Sequence, residues 1–241
     1  MPSVFLTAEW RHLLMLNFPI EPKTLQKFSP KGTEIDDWKG TTYVSLVAFL
    51  FLETKVKGLA IPFHRDFEEI NLRFYVRSRG PEGWRRGVVF VREVVPKQAI
   101  AFLARMLYNE NYIACPTRST VTNPSRETEG KVEYGWRPDG QWLAIGAEFS
   151  GEPRLPKKNS LEEFITEHYW GYSAQRDGDT VEYQVEHPQW KLWDATQVNL
   201  EGEVAAFYPP EFASALNSSP SSAFVAKGSK VKVYSGARLK D

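Results

Sequence analysis

The sequence predicts a mainly β chain, an antiparallel sheet closed on itself or doubled into two layers, with a few helices outside it. Two observations carry that expectation. β-branched and aromatic residues recur in runs bounded by turn signals, and aromatics make up 14% of the 241 residues, the composition that a pleated, half-buried surface selects. The runs number seven or more, and that many strands need closure or a second layer to protect their edges.

In chain order the strand candidates are 41–51 (TTYVSLVAFLF), 69–78 (EINLRFYVRS), 87–95 (GVVFVREVV), 131–137 (KVEYGWR), 141–149 (QWLAIGAEF), 180–187 (TVEYQVEH) and 230–235 (KVKVYS). Two hairpins are legible. Pro138, Asp139 and Gly140 separate one pair of alternating segments, and Asp177 with Gly178 separates another, both Asp-Gly pairs being strong turn signals. A helix is predicted over 96–108 (PKQAIAFLARMLY), where Pro96 suits a first turn and Ile100, Leu103 and Leu107 share a face. A second is predicted over 160–169 (SLEEFITEHY), because Ser160 and Glu163 form a capping-box pattern. Residues 21–29 suit one or two further helical turns. The polar segment 116–130 reads as an exposed loop or as strand pieces around a loop, and Ser-rich 217–223 as a surface connection. No linker divides the chain, so residues 1–241 are expected to form one domain.

Composition narrows the function classes. Lys+Arg and Asp+Glu both number 30, and nucleic acid, which demands a basic footprint, is not an expected partner. The longest uncharged stretch near the start, His12 to Ile20, is too short to span a bilayer, Glu9 and Arg11 interrupt the apolar residues before it, and no basic segment precedes them. A cytoplasmic protein with no membrane partner is the expectation. Cys115 is the only cysteine, which excludes an intrachain disulfide and a Cys-rich metal site. It reads as a core or strand residue. His12, His64, His168 and His187 are scattered without metal-ligand spacing, no hydrolase elbow or phosphate loop occurs, and Lys157 and Lys158 lie in a polar loop before a helix cap. No cofactor is expected.

The segment 69–78 is the most informative. Strand alternation places Ile70, Leu72, Phe74 and Val76 on one face and Glu69, Asn71, Arg73, Tyr75 and Arg77 on the other. In an isolated sheet the second face is simply wet. In a closed barrel it lines a cavity, where Arg73 can clamp a ligand carboxylate through its planar fork and Glu69 can orient it or move a proton. His187 ends a strand beside Pro188, with Trp190 available as a pocket wall, against the plainer reading of a strand-end hydrogen bond. His168 reads as packing among Tyr169, Trp170 and Tyr172.

Five segments, AEWRHLLMLNF, GTEIDDWKGTTYVSLVAF, DFEEINLRFYV, ARMLYNENYIA and YQVEHPQW, occur in that order. Together they resemble the YqjF-like family of unknown function, grouped with the acetoacetate decarboxylase-like superfamily, over nearly the whole chain. The resemblance implies an antiparallel β-barrel or cone with a few peripheral helices and an internal cavity. Acetoacetate decarboxylase forms a Schiff base on a lysine activated by a cationic neighbour. In the corresponding stretch, YNENYI, Tyr112 and Ile113 fall where the two lysines would stand. A phenol of ordinary pKa about 10 donates a hydrogen bond but forms no imine. The resemblance therefore implies a remodelled site, with Tyr112 and Asn111 facing the cavity and Glu69 where the superfamily places a carboxylate.

These residues predict a cavity for a small organic acid or carbonyl metabolite. Arg73 and Arg92 would neutralise the acid, Tyr112 and Asn71 would hydrogen-bond a carbonyl, and Tyr75, His187 and Trp190 would supply walls. If a reaction follows, a lyase or isomerase step moves a proton through Glu69 while Tyr112 stabilises an enolate oxygen. The alternatives are a non-catalytic binding or sensing protein, and a structural salt-bridge network of Glu69, Arg73 and Arg92. Eight tryptophans leave a homo-oligomer open, which exposed aromatic clusters would favour.

Overall fold

A ring of strands forms because β14 (Ser222–Tyr234) changes neighbour along its length. Its first half pairs with β13 (Leu192–Glu201) through Leu192↔Ala226 and Asp194↔Phe224, and its second half pairs with β12 (Thr180–Glu186) through Val185↔Val233. β1 (Val4–Pro19) holds its other edge throughout, from Asn17↔Ser222 to Val4↔Tyr234. The computed structural model describes residues 3–60, 64–96, 111–125 and 128–239. Within it the ring runs β12, β11 (Trp170–Ala174), β6 (Gly83–Val95), β5 (Phe67–Gly80), β3 (Tyr43–Val56), β1, β14 and back to β12. Its pairings are antiparallel except β6 with β11, where Trp170 lies opposite Gly87. A short β7 (Tyr112–Ala114) also runs parallel to β6.

From β13 the pairing continues into a second layer, through β10 (Leu143–Phe149) and β9 (Gly130–Trp136) to β8 (Thr117–Thr122). Two-residue strands β2 (Glu34–Ile35), β4 (Leu59–Ala60) and β15 (Ala237–Arg238) extend β5, β3 and β12. Four short α-helices, α1 (Pro22–Gln26), α2 (Leu161–Thr166), α3 (Val204–Phe207) and α4 (Ala213–Leu216), and a 3-10 turn over Pro210–Phe212 complete the described residues. No helix among them is long and apolar enough to cross a membrane.

The backbone makes the change of neighbour possible at one place. Opposite Arg11, Gly228 has φ +75°, and a Cβ there would overlap the Trp10 carbonyl oxygen. His12 in β1 also takes a positive φ of 53°, where the register against β3 slips between Arg11 and Leu14. Both strands bend together, as a bulge and a glycine allow.

Alternation then builds two cores. Leu14 and Leu16 of β1, Leu46 of β3, and Ile70, Leu72 and Phe74 of β5 point outward, against Val132 and Tyr134 of β9 and Ile145 and Phe149 of β10. Leu13 and Met15, Val47 and Phe49, Tyr75, Val88 and Val233 point into the ring, together with Phe164 and Ile165 of α2. Truncating one of these fully buried aliphatics to alanine typically costs about 2–5 kcal/mol.

All seven expected strands are present, and the two hairpins close at the predicted turns, with Trp136↔Leu143 and Ala174↔Thr180 flanking them. Ser160 caps α2 by accepting from the Glu163 backbone N–H at 3.2 Å, while the Glu163 carboxylate accepts from the Asn159 N–H, one residue earlier than a reciprocal box. β1, β11 and β13 were not expected, and β8 fills part of the segment read as a loop with strand pieces. The predicted helix 96–108 falls mostly outside the described residues, which resume at Asn111.

Candidate functional site

The second face of β5 is not wet. Glu69, Asn71 and Arg73 are 3%, 1% and 9% exposed, because the ring closes over them. They line an internal cavity of about 50 Å³, roughly three to five times what a single water needs. Apolar side chains from β1, β3 and β6, among them Trp10, Phe49, Phe51 and Phe90, form most of the wall.

On the polar wall, Asn71 Nδ2 donates to Glu69 Oε1 at 3.0 Å. Across the β5–β6 pairing, Asn71 lies opposite Glu93, a buried carboxyl that also faces the cavity. The parallel register of β7 sets Tyr112 beside Glu93, and the Tyr112 hydroxyl donates to Glu93 Oε1 at 2.8 Å. Tyr112 thus meets the site through Glu93 and is not itself in the wall.

Arg73 stands apart. Its Nη2 reaches Met15 Sδ at 3.8 Å and its guanidinium carbon lies 5.8 Å from the Tyr75 ring centre, while Nε has no hydrogen-bond partner. No carboxylate of the described residues lies within ion-pair distance of it. Tyr75 is fully buried below, its hydroxyl 2.6 Å from Ser45 Oγ, which in turn donates to Asn17 Oδ1. It supports the floor and does not line the cavity.

His187 and Trp190 form another wall, stacked with ring centres 4.1 Å apart. Burial lowers the His187 pKa to about 4, reinforced by Arg73 and only partly offset by the Pro188 carbonyl, which accepts from Nδ1 at 3.0 Å. The imidazole is neutral at pH 7 with Nε2 as its lone-pair nitrogen. His187 also borders an exterior groove containing Lys55, Lys230 and Lys232, so it separates the cavity from the surface.

Two expected ligand contacts are elsewhere. Arg92 lies 4.8 Å from the Phe207 ring centre, on the outer face of β6. The pairing shows why: Arg73 is opposite Phe90 but Leu72 is opposite Arg92, which leaves Val91 as an extra residue. That bulge reverses the alternation and turns Glu93 inward in place of Arg92. Asn111 is exposed, its Nδ2 donating to the Val91 carbonyl at 3.3 Å.

Sequence reasoning also missed His168, which lines the cavity just after α2. Its Nε2 sits 3.5 Å from Asp36 Oδ2, a close approach that falls short of an aligned hydrogen bond, and Arg86 Nε donates to the same oxygen at 2.7 Å. Burial lowers the His168 pKa to about 4 despite Asp36, with Arg86 and Arg73 adding to the effect. Burial alone would raise the Asp36 carboxyl, but His168 and Arg86 outweigh it and bring its pKa to about 2. The only sequence signal was the aromatic setting of TEHYWGY, which pointed to packing.

A model of the DUF2071 family, described as an uncharacterized conserved protein, matches residues 7–230. The chain belongs to that family. The uncharacterized protein YqjF of Bacillus subtilis is 25% identical to it over 195 residues, covering 77% of this chain and 74% of YqjF. Among solved structures, the acetoacetate decarboxylase of Legionella pneumophila matches with a TM-score of 0.69 at 12% identity, covering 100% of this chain and 89% of that one. The enduracididine biosynthesis enzyme MppR complexed with pyruvate also matches with a TM-score of 0.69, at 11% identity, covering 100% and 92%. At such identities the likeness establishes the acetoacetate decarboxylase-like fold and nothing finer. Family and fold are those the five sequence segments resembled.

Proposed function

We propose that the cavity binds a compact organic acid or carbonyl metabolite, anchored through its carboxylate by Arg73. The observation that carries this reading is a buried guanidinium with no carboxylate partner among the described residues. An unpaired charge costs several kcal/mol to bury, and a ligand carboxylate in the guanidinium fork would offset that cost. The pyruvate held by the structural neighbour MppR is an acid of suitable size.

The chemistry that fits these walls is proton transfer. Glu69, oriented by Asn71, takes a proton from the carbon next to the ligand carbonyl, and the electron pair moves onto the carbonyl oxygen as an enolate. Glu93 shares that wall, and Tyr112 acts through it as a positioning residue. The reading is a lyase or isomerase step that needs no imine, since Glu69 supplies the base. A structural network of Glu69, Arg73 and Arg92 is not favoured, because Arg92 is on the opposite face of its strand.

The test is a thermal-shift series with pyruvate, other keto acids, hydroxy acids and simple ketones on the native protein, Arg73→Leu and Glu69→Gln. The expected result is stabilisation by acids only, lost in Arg73→Leu, whose ligand-free form melts no lower than the native protein. Glu69→Gln keeps the stabilisation and loses deuterium exchange into the ligand. A ligand-free Arg73→Leu variant that collapses in stability would instead make Arg73 a structural ion, and undiminished exchange in Glu69→Gln would remove it as the base.

A further inference from the structure

His168 is the one imidazole in the cavity with a carboxylate behind it. The segment that carries it leaves α2 and enters β11, which pairs with β6, and this brings the ring to the cavity wall beside Tyr75. Its ring is fixed by Tyr75 at 4.6 Å and by the edge of Phe164 at 5.2 Å. Asp36, 5% exposed, faces Nε2 at 3.5 Å.

Asp36 is itself tightly held. Its Oδ2 accepts from Arg86 Nε at 2.7 Å, its Oδ1 accepts from the Asp37 N–H at 3.1 Å, and its own N–H donates to the Tyr75 carbonyl at 3.0 Å. An anion fixed next to Nε2 favours the neutral tautomer with its proton on that nitrogen, leaving Nδ1 as the lone-pair atom. Nδ1 is buried and meets no hydrogen-bond partner among the described residues. A buried acceptor without a partner costs about 1–3 kcal/mol, whereas packing alone would be served as well by an apolar ring. A carboxylate holding an imidazole in one tautomer, with the other nitrogen free to accept, is the arrangement that general-base histidines use.

We propose that His168, positioned by Asp36, is an acid–base group of this cavity, accepting a hydrogen bond at Nδ1 from a hydroxyl of the bound acid where it has one and passing a proton to its carbon. The proposal rests on the reading of the cavity as a binder of a compact organic acid. The step balances without any co-reactant. A C–H bond next to the carbonyl breaks, its proton goes to Glu69, and its electron pair becomes the enolate. Nδ1 takes a proton from solvent, the imidazolium returns it to the same carbon, and Glu69 releases its own proton to solvent. The charged and titratable groups facing the ring are Asp36 and Arg86 on its Nε2 side, with Arg73 and Tyr75 of β5 on the other. Both arginines oppose the imidazolium, so it forms only transiently, as a returning acid requires.

Nitrogen-15 spectra of the protein labelled at histidine, which has only four such residues, test this with lactate, whose hydroxyl can donate, as the probe of Nδ1 and pyruvate as the probe of exchange. His168 is expected to show the Nε2–H tautomer, its Nδ1 resonance should move toward the hydrogen-bonded position as lactate saturates, and Asp36→Asn should mix the tautomers. Deuterium exchange into the pyruvate methyl group should fall about 100-fold in His168→Gln with the pyruvate thermal shift retained. A stationary Nδ1 resonance with lactate or undiminished exchange with pyruvate, while thermal shifts show both acids bound, overturns the role of His168 and leaves the cavity reading intact. No thermal shift with any acid overturns the cavity reading and this proposal with it. If His168→Gln does not fold, the resonance shift and the Asp36→Asn tautomer decide alone.

Discussion

Neighbouring strands β5 and β6 carry the same kind of sequence and treat it oppositely. In β5, alternation runs unbroken from Glu69 to Val76: the apolar residues face the outer core and Glu69, Asn71 and Arg73 face the cavity. In β6, Val88 and Phe90 face inward as alternation demands, and then Val91 bulges. Beyond it the carboxyl of Glu93 is inside and the guanidinium of Arg92 is outside. One unpaired residue decides which sign of charge enters the cavity. A strand's period can therefore be read from its residues, whereas its phase past a bulge is fixed by the partner strand.

The most severe way to break that comparison is to exchange the two charges, Arg92→Glu with Glu93→Arg. The new guanidinium would stand inside opposite Asn71 and beside Tyr112, and the new carboxylate would face the rings of Phe207 and Tyr208. The guanidinium would be buried and the carboxylate half-buried, neither with the present partners, at an expected cost of about 3–5 kcal/mol. Equilibrium denaturation reads it. A double variant as stable as the native protein would mean that the bulge can relax and that the phase of β6 is not fixed.

Smaller, and directed at the other wall, is the effect of acid. His168 and His187 both have folded pKa values of about 4, below the ordinary 6.5, with burial the leading cause. The unfolded chain therefore binds more protons than the folded one between pH 6.5 and 4, and stability rises with pH across that window. The contribution is complete above pH 6.5 and is lost as pH falls toward 4, by roughly 1–3 kcal/mol for each ring. Asp36, lowered from 3.8 to about 2, adds its own loss only below that window. Unfolding midpoints measured from pH 7.5 to 4.5 should fall steadily, and His187→Phe, which keeps a ring against Trp190, should flatten the slope. A flat native profile would place both rings in water.

These contrasts mark how far the sequence could be read. The strands were legible wherever period two was clean, as in β3, β5, β9 and β10, and Arg73 could be placed because nothing interrupts the alternation around it. β1 was missed because its polar and charged residues up to His12 obscure the pattern before the bend. Glu93 was hidden by the bulge in β6. His168 and Asp36 are 132 residues apart in the chain and meet only because β11 returns to pair with β6 and β2 lies along β5. No local pattern records such a meeting. The parallel pairing of β7 likewise sets the Tyr112 hydroxyl on Glu93, a contact that the position of Tyr112 in the sequence could not announce.

The finest comparison sets the two arginines against each other. Arg73 and Arg92 both sit in long strands, and both were expected to meet a ligand acid, Arg73 from the alternation around it and Arg92 as its second. Arg92 is half-buried over the Phe207 and Tyr208 rings, where a cation facing aromatic rings contributes about 0.5–2 kcal/mol and its methylene stem adds packing. Arg92→Leu keeps the stem's apolar contact and loses only the charge, so its melting temperature should drop slightly and its response to pyruvate should match that of the native protein. Arg73→Leu should do the reverse, with no drop in the ligand-free protein and no response to the acid. Measured side by side, the two variants separate a charge held by its own protein's rings from a charge left for a ligand, and an acid response lost in Arg92→Leu would show that β6 reaches the cavity through a face other than the one carrying Glu93.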